Sequence, residues 1–189
     1  DPDFKLTDMY EEFFSNNHVL ALFEGAQGFG LDIDWGDYPY VTSSHCNAGS
    51  ATLNGIPPHK INRIFGAAKI YDTYVGAKRF EPNSKVFQLI RDIGSEYGST
   101  TGRPRQCNWL NITNTIKATQ INGVTDLIIN KCDILEKVGM FRVILDHMLI
   151  QFNDFKEMKE YYCEVCGRKH SGKHSSHYCR KHQWQCTSD

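Results

Sequence analysis

The amino-acid sequence predicts an α/β protein: a mostly parallel sheet flanked by helices, with a small carboxyl-terminal appendage. Apolar runs typical of buried strands alternate with stretches of helical periodicity, and glycine-rich turns follow the runs. Cysteine and histidine are crowded near the end of the chain, which sets that segment apart from the rest. We therefore predict a body over residues 1–155 and a tail over residues 156–189.

The composition is that of a soluble globular protein. The 189 residues are 40% hydrophobic and 23% charged, which excludes collagen-like, coiled-coil and wholly disordered chains. With 21 Lys and Arg against 22 Asp and Glu, no global positive field attracts nucleic acid or membranes, so neither is an expected partner. No apolar run approaches the roughly 18 residues needed to span a bilayer, and the first residues do not resemble a secretory signal. A cytoplasmic location is the resulting prediction.

The amino-terminal half contains three segments that we predict to be regular and one long loop. Residues 7–15 have the apolar spacing of a short amphipathic helix, and residues 19–23 form an apolar run typical of a buried strand. Residues 31–55 are rich in Gly, Asp, Asn, Ser and Thr, which predicts a long ordered loop. Residues 61–71 follow a proline pair and carry apolar residues at helical spacing, so we predict a second helix there.

In the second half, residues 86–93 form a short segment whose type the pattern does not decide. Residues 94–104 are a glycine and threonine loop, and residues 111–120 are predicted to be a helix that opens on polar residues. A strand is predicted at residues 125–129, and residues 140–155 are apolar and compatible with either strand or helix. This alternation favours a parallel sheet.

The strand predicted at 125–129 runs into the tetrapeptide Asn-Lys-Cys-Asp at residues 130–133. A carboxylate such as Asp133 can accept two parallel hydrogen bonds from the N1–H and 2-amino groups of guanine, whereas adenine offers an acceptor at N1. The stem of Lys131 can cover the plane of the base. The tetrapeptide is therefore a candidate guanine site, although a strand-end turn with Asp133 capping the next helix is an alternative explanation.

Two other segments carry groups suited to anions and nucleotides. Residues 98–105 combine glycines and hydroxyls with Arg103 and Arg105, and arginine binds carboxylates and phosphates through two bonds. A solvated polar loop is the plainer alternative. Along residues 23–44, Gln27 can contact a purine edge, and the hydroxyl of Thr42 can hold a phosphate. This segment lacks the P-loop pattern.

Together these motifs resemble those of the adenylosuccinate synthetases. The matching pieces occur in order from residue 19 to residue 135: FEGAQG at 23–28, LDID at 31–34, VTSS at 41–44, VGA at 75–77, EYGSTTGRPR at 96–105, Trp109-Leu110, and a strand followed by K-x-D at 131–133.

The resemblance implies a GTP-dependent ligase that joins L-aspartate to the 6-position of a purine monophosphate, with Mg²⁺ accompanying GTP. In that family the purine 6-oxygen is phosphorylated and then displaced by the aspartate amine. By matching motifs, the resemblance implies these contacts: Gln27, Thr42, Val75, Gly76 and Arg103 with the purine nucleotide; Thr100, Thr101, Arg103 and Arg105 with aspartate; Lys131 and Asp133 with GTP.

Several features of the family pattern are missing or changed in this sequence, and they affect the predicted activity and acceptor. The family's phosphate loop with its catalytic Asp, and its catalytic His, have no counterpart in this sequence, so no residue here is assigned as catalytic. We expect a fragment, or a split subunit completed by a partner; family members are typically dimers, so a homodimer is also plausible. Tyr74, His45 and residues 78–81 differ from the usual family residues, so the acceptor is either inosine monophosphate or deoxyguanylate, as in phage-type relatives.

The tail holds a Cys-x2-Cys pair, Cys163 and Cys166, followed by Cys179 and His182. This spacing is typical of a structural zinc site, in which each pair sits on a tight knuckle and four ligands close a tetrahedron. Cys186 is an alternative fourth ligand. The tail is thus predicted to be a zinc knuckle, and the rival function for the whole chain is a non-catalytic module that binds nucleotide or nucleic acid and carries this zinc site.

Overall fold

The architecture is described from a computed structural model, in which residues 8, 10, 11, 14, 20–170 and 182–184 are described. The helices in this part of the chain are α1 (Gly49–Leu53), α2 (Lys85–Ile93), α3 (Ile112–Asn122), α4 (Cys132–Val138) and α5 (Phe155–His170). The strands are β1 (Phe65–Lys69), β2 (Tyr71–Tyr74), β3 (Gln106–Asn111), β4 (Asp126–Asn130), β5 (Phe141–Leu145), β6 (Met148–Phe152) and β7 (His182–Trp184).

The strands form two sheets, and only one of them is parallel. In the first sheet β4 lies between β1 and β7, and both neighbours run parallel to it. In the second, the order is β2-β3-β5-β6; β3 and β5 are parallel, whereas the outer pairs are antiparallel. The α/β class is confirmed, but the prediction of a mostly parallel sheet holds for the first sheet alone. The apolar segment at 140–155 folds as the β5–β6 hairpin and the start of α5.

Two predicted elements of the amino-terminal half are wrong. Residues 61–71 do not form a helix: β1 occupies 65–69 and β2 begins at Tyr71. Residues 20–23 are irregular rather than a buried strand, and Leu20 is 99% exposed. In both cases the partner element decides, because a strand is stable only when another strand completes its hydrogen bonds. In the predicted helix at 7–15, Tyr10, Glu11 and Phe14 are helical, and the other positions except residue 8 lie outside the described residues.

The predictions from stronger local signals are confirmed. Helix α3 begins after Asn111, whose side chain accepts a hydrogen bond from the backbone N–H of Asn114. It ends at Gly123, which has a φ of 60°. Strand β4 lies within one residue of its predicted position. The loop at 31–55 is irregular apart from α1. The segment at 86–93, whose type the sequence pattern left open, lies in helix α2.

One hydrophobic core joins both sheets to the helices, and it extends beyond residue 155. Trp109 of β3 and Val143 of β5 belong to it together with Met158, Tyr162 and Cys166 of α5. The first part of the predicted tail therefore packs on the body.

The knuckle predicted at Cys163 and Cys166 is not formed, because both residues lie inside α5. Helical backbone persists there since the same turns bury Tyr162 and Cys166 in the core. The backbone of His182 lies in β7, and Cys179 and Cys186 lie outside the described residues. Zinc binding by the tail stays a prediction.

Candidate functional site

The candidate guanine site lies at the carboxyl end of β4, in the turn that leads into α4. Lys131 adopts the left-handed conformation, with a φ of 64°, and this sharp turn places Asp133 in the first turn of the helix. The Lys131 ammonium donates a hydrogen bond to the carbonyl of Gly94 at 3.0 Å. Lys131 is thus held against the loop that follows α2, at an end of the sheet where α/β proteins commonly bind ligands.

Asp133 is well placed to act as an acceptor. Its side chain is 15% exposed, and it forms an ion pair at 3.1 Å with Lys137, one helical turn away, which is 60% exposed. The helix dipole favours a carboxylate in this first turn, and exposed pairs of this kind contribute little to stability. A ligand can therefore replace Lys137 at small cost.

The loop predicted to bind anions is a closed hairpin-like turn between α2 and β3. A bridge joins Tyr97 to Pro104, and the N–H of Gly98 donates to the carbonyl of Arg103 at 2.9 Å. Gly102 has a φ of 64° and donates to the carbonyl of Gly98, which closes the turn. The predicted ligand contacts Thr100, Thr101 and Arg103 are all exposed on this loop.

Arg105, at the base of the loop, enters a buried charge cluster that the sequence did not reveal. Its Nη1 lies 3.2 Å from Glu96 Oε2, and Glu96 is 3% exposed. The same carboxylate accepts from Lys69 Nζ at 2.7 and 2.8 Å and from the Tyr71 hydroxyl at 2.8 Å. Lys69 and Tyr71 lie at the β1–β2 junction, within the segment predicted to be a helix. We call Lys69, Tyr71, Glu96 and Arg105 the Glu96 cluster.

Within the Glu96 cluster, Glu96 is favoured in its ionised form and Tyr71 in its neutral form. Burial opposes ionisation of Glu96, but the hydrogen bonds from Lys69 and Tyr71 outweigh it and hold the pKa of Glu96 below its ordinary value. Burial also raises the pKa of Tyr71, as do its bond to Glu96 and the charge of that group. An ionised Glu96 therefore lies beside two cationic side chains at neutral pH.

The predicted nucleotide contacts Gln27 and Thr42 lie in the loop before α1. Gln27 is exposed with a φ of 57°, and the Thr42 N–H donates to the carbonyl of Leu31 at 2.8 Å. Asp32, which is fully buried, organises this loop by accepting four hydrogen bonds: from Asp34 N, Trp35 N, Cys46 N and Asn47 Nδ2. Burial alone would raise the pKa of Asp32, but these bonds bring it below its usual value.

Asp32, Asp34 and His45 are close enough together to be considered as metal ligands. Both oxygens of Asp32 already accept hydrogen bonds, and His45 Nδ1 lies 3.4 Å from Asp34 Oδ2 as an ion-pair contact. Mg²⁺ prefers an octahedron of oxygen ligands and water. The cluster does not fit the Mg²⁺ that the family resemblance implies, so we assign no residue of this chain to that ion.

Val75 and Gly76, predicted to contact a nucleotide, follow the end of β2. Val75 is 47% exposed, and the Tyr74 ring packs so close to Gly76 that any side chain at 76 would meet the tyrosine hydroxyl. Gln106 Nε2 donates to the carbonyl of Gly76 at 3.3 Å and to that of Lys78 at 2.8 Å. A side-chain amide therefore holds this segment to the first residue of β3.

The structure links some of the predicted site residues and leaves others apart. The bond from Lys131 to Gly94 and the contact of Glu96 with Arg105 connect residues 131–133, which we call the candidate guanine turn, to the 98–105 loop. The loop before α1 is joined to α3, because Asn122 Oδ1 accepts from the N–H of Ala48 at 2.7 Å, and to the segment after β2 by the ion pair of Asp37 with Lys78. None of the helices in the described residues is long and apolar enough to cross a membrane.

Comparisons with known proteins identify the relatives of this chain. The family model for adenylosuccinate synthetase matches residues 6–177. The adenylosuccinate synthetase of Syntrophomonas wolfei is 50% identical over 126 residues, which are 65% of this chain and 30% of that protein. The Aquifex aeolicus synthetase is 38% identical over 175 residues, covering 85% of this chain and 40% of the relative.

A solved structure agrees with these matches. Fully ligated adenylosuccinate synthetase from Plasmodium falciparum superposes with a TM-score of 0.67 and 28% identity, over 77% of this chain and 44% of that chain. The chain therefore spans 30% to 44% of the length of these relatives.

Proposed function

Because the chain belongs to the adenylosuccinate synthetase family, we propose that it forms part of the GTP-dependent ligase that joins L-aspartate to inosine monophosphate. In this proposal its residues bind and orient the substrates. The complete reaction is proposed for the full-length enzyme, since the chain matches 30% to 40% of the length of its relatives.

The placement of Asp133 is the observation that carries the proposal. The left-handed turn at Lys131 presents the carboxylate at the end of β4, largely shielded from solvent and paired with an exposed lysine. A carboxylate in this position accepts hydrogen bonds from guanine N1–H and the 2-amino group. Adenine would leave it facing a ring-nitrogen acceptor, and an acceptor without a donor is costly to bury.

The 98–105 loop is proposed to bind the carboxylates of aspartate and to lie beside the transferring phosphate. Its exposed hydroxyls at Thr100 and Thr101 can donate to anionic oxygens, and Arg103 and Arg105 can bind them through two bonds. Gln27, Thr42, Val75 and Gly76, together with Arg103, are proposed to contact the purine monophosphate.

The chemistry that these residues serve consists of two transfers. The purine loses its N1 proton, and its 6-oxygen attacks the γ-phosphorus of GTP and releases GDP. The aspartate amine then attacks C6, loses a proton and expels inorganic phosphate. Phosphoryl transfer is accelerated mainly by positioning and by neutralising charge on the phosphoryl oxygens. Arg105 can supply positive charge to those oxygens, and Mg²⁺ when bound to GTP supplies more.

Isothermal titration of the chain with GTP, ATP, inosine monophosphate and deoxyguanylate, with and without Mg²⁺, tests the proposal. We expect GTP to bind at least tenfold tighter than ATP and inosine monophosphate to bind tighter than deoxyguanylate. Equal affinity for GTP and ATP would contradict the assignment of Asp133. A preference for deoxyguanylate would instead identify the phage-type acceptor.

The variant Asp133→Asn sharpens the test. It should lower GTP affinity on the order of 100-fold and create affinity for xanthosine triphosphate, because an amide N–H can donate to the 2-oxo group. Gain of a new ligand shows that the variant is folded. The matched control is Glu136→Gln, which removes an exposed carboxylate from the same helix and should leave both affinities unchanged.

A further inference from the structure

Glu96 has an unusual position for an acidic residue. Its side chain is buried, and hydrogen bonds reach its two oxygens from Lys69, Tyr71 and Arg105. A buried carboxylate is stable only when its bonds are satisfied and its charge is paired. Lys69 and Tyr71 already meet much of that requirement, since Lys69 contacts both oxygens. The third contact, with Arg105, therefore adds little to the stability of Glu96 and mainly fixes the position of the arginine side chain.

Arg105 differs from the other two partners in its exposure. Its side chain is 35% exposed, whereas that of Lys69 is 26% exposed and Tyr71 is buried. It also lines an open cavity of about 350 Å³, together with Gln88, Arg91, Tyr97, Pro104 and Gln106. Glu96 thus holds Nη1 of a partly exposed residue that also lines this cavity at the base of the 98–105 loop.

The backbone strengthens this arrangement. The Arg105 N–H donates to the carbonyl of Glu96 at 2.9 Å, so the two residues are paired by main chain and by side chain. A free arginine side chain loses rotamer entropy when a ligand immobilises it. A side chain that is held before the ligand arrives has already lost part of that entropy.

We propose that Glu96 is a positioning residue that orients the Arg105 guanidinium for an anionic ligand group, a carboxylate or a phosphoryl oxygen. The cluster still attracts anions, because Lys69 and Arg105 carry two positive charges against one on Glu96. The role of Arg105 as a ligand contact rests on the proposed function, whereas the orienting contact itself does not.

The first experiment needs no ligand. The side-chain Nη–H signals of Arg105, the atoms that face Glu96, are recorded in a ¹⁵N-correlated spectrum at low temperature and assigned by their loss in Arg105→Lys. In the unmodified chain we expect slowed hydrogen exchange at this guanidinium, and in Glu96→Gln exchange at least fivefold faster. An unchanged exchange rate would overturn the positioning role, whatever the chain binds.

The second experiment titrates the chain with inorganic phosphate as the anion probe. Positioning predicts that Glu96→Gln weakens phosphate binding about fivefold, although the substitution removes a negative charge. A purely electrostatic role for Glu96 predicts the opposite sign, tighter binding, and that result would overturn the proposal. In Glu96→Gln/Arg105→Lys the loss should not exceed that of Arg105→Lys alone.

Tyr71→Phe is the matched structural control. It removes a hydrogen bond from the same carboxylate but leaves its contact with Arg105, so stability should fall while phosphate affinity stays within twofold. If Tyr71→Phe weakens phosphate binding as much as Glu96→Gln, the effect is structural and the proposal fails. If the unmodified chain binds neither phosphate nor GTP, the proposed function fails, and the exchange experiment still decides the role of Glu96.

Discussion

The two ends of β4 both carry an acidic residue, but its partners differ. At the amino end, Asp126 is 9% exposed and receives two bonds from Arg63, which lies 63 positions earlier in the chain, at 2.6 and 3.1 Å. At the carboxyl end, Asp133 pairs with Lys137, one turn along its own helix. The first pair ties together distant segments, whereas the second is local and easily exchanged. One end of the strand therefore serves stability, and the other can serve recognition.

Asp72 is a third carboxylate, and its hydrogen-bond partner is a backbone N–H group. Asp72 on β2 is partly buried and accepts a hydrogen bond from the N–H of Asn111 at 3.0 Å. Burial raises its pKa from 3.8 to about 6, and that single bond only partly offsets the effect. Unlike Asp126, this carboxylate costs stability when it ionises.

The largest effect that we expect is therefore the pH dependence at Asp72. Because its folded pKa is raised, the folded state binds more protons, and its contribution to stability falls as the pH rises from about 4 to about 6. The total loss of stability is about 3 kcal/mol. Asp72→Asn should remove this loss. Between pH 4 and pH 7 the free energy of unfolding, measured with urea, should therefore fall less in the variant than in the unmodified chain. A constant difference between the two pH values would contradict the raised pKa.

Asp126→Ala tests the stabilising end of β4. We expect the free energy of unfolding to fall by about 2 kcal/mol, because Arg63 and the Thr125 hydroxyl lose a shared acceptor. The side chain of Arg63 is 56% exposed, so its guanidinium can regain water, which keeps the loss moderate. GTP affinity of the folded variant should stay unchanged. A large loss of GTP affinity by titration would show that the two ends of the strand are not separate.

Lys131→Gly gives the smallest change in stability and tests the recognition end. Glycine relieves about 1 kcal/mol of left-handed strain at φ 64°, and loss of the bond to Gly94 costs a similar amount. Stability should therefore stay within about 0.5 kcal/mol, while GTP affinity falls several-fold because the lysine stem no longer covers the base. The control is Lys137→Ala, which removes a lysine from helix α4 and should not weaken GTP binding.

Local signals account for the elements that were predicted correctly. Helix α3 begins after Asn111, whose polar side chain caps it, and ends at the left-handed Gly123. Both signals act within a few residues, so the sequence was sufficient to predict this helix. Residues 61–71 were predicted as a helix because their apolar spacing also fits one. Pairing of β1 with β4, some 60 residues later, makes this segment extended instead. Such pairing leaves no mark in a short window of sequence.

The same contrast holds for the candidate site. Lys131 and Asp133 were predicted from the sequence because their chemistry follows one strand and one turn, and their contact with guanine is a proposal. Glu96 was not found as a site residue, because its partners Lys69 and Tyr71 are separated from it by more than 20 positions. The charge cluster exists only after β1, β2 and the loop after α2 come together.

The sequence by itself determined the α/β class and the family, and the family match confirmed the resemblance. It also singled out residues 131–133 and 98–105, which are proposed to bind ligands. These features reside in contiguous motifs, in which order and spacing are enough. The tertiary structure alone decided that the second sheet is mixed, that α5 is helical through Cys163 and Cys166, and that Glu96 meets Arg105 and Lys69. Strand pairing, core packing and buried charge pairing depend on distant residues, and their energies arise only when those residues are brought into contact.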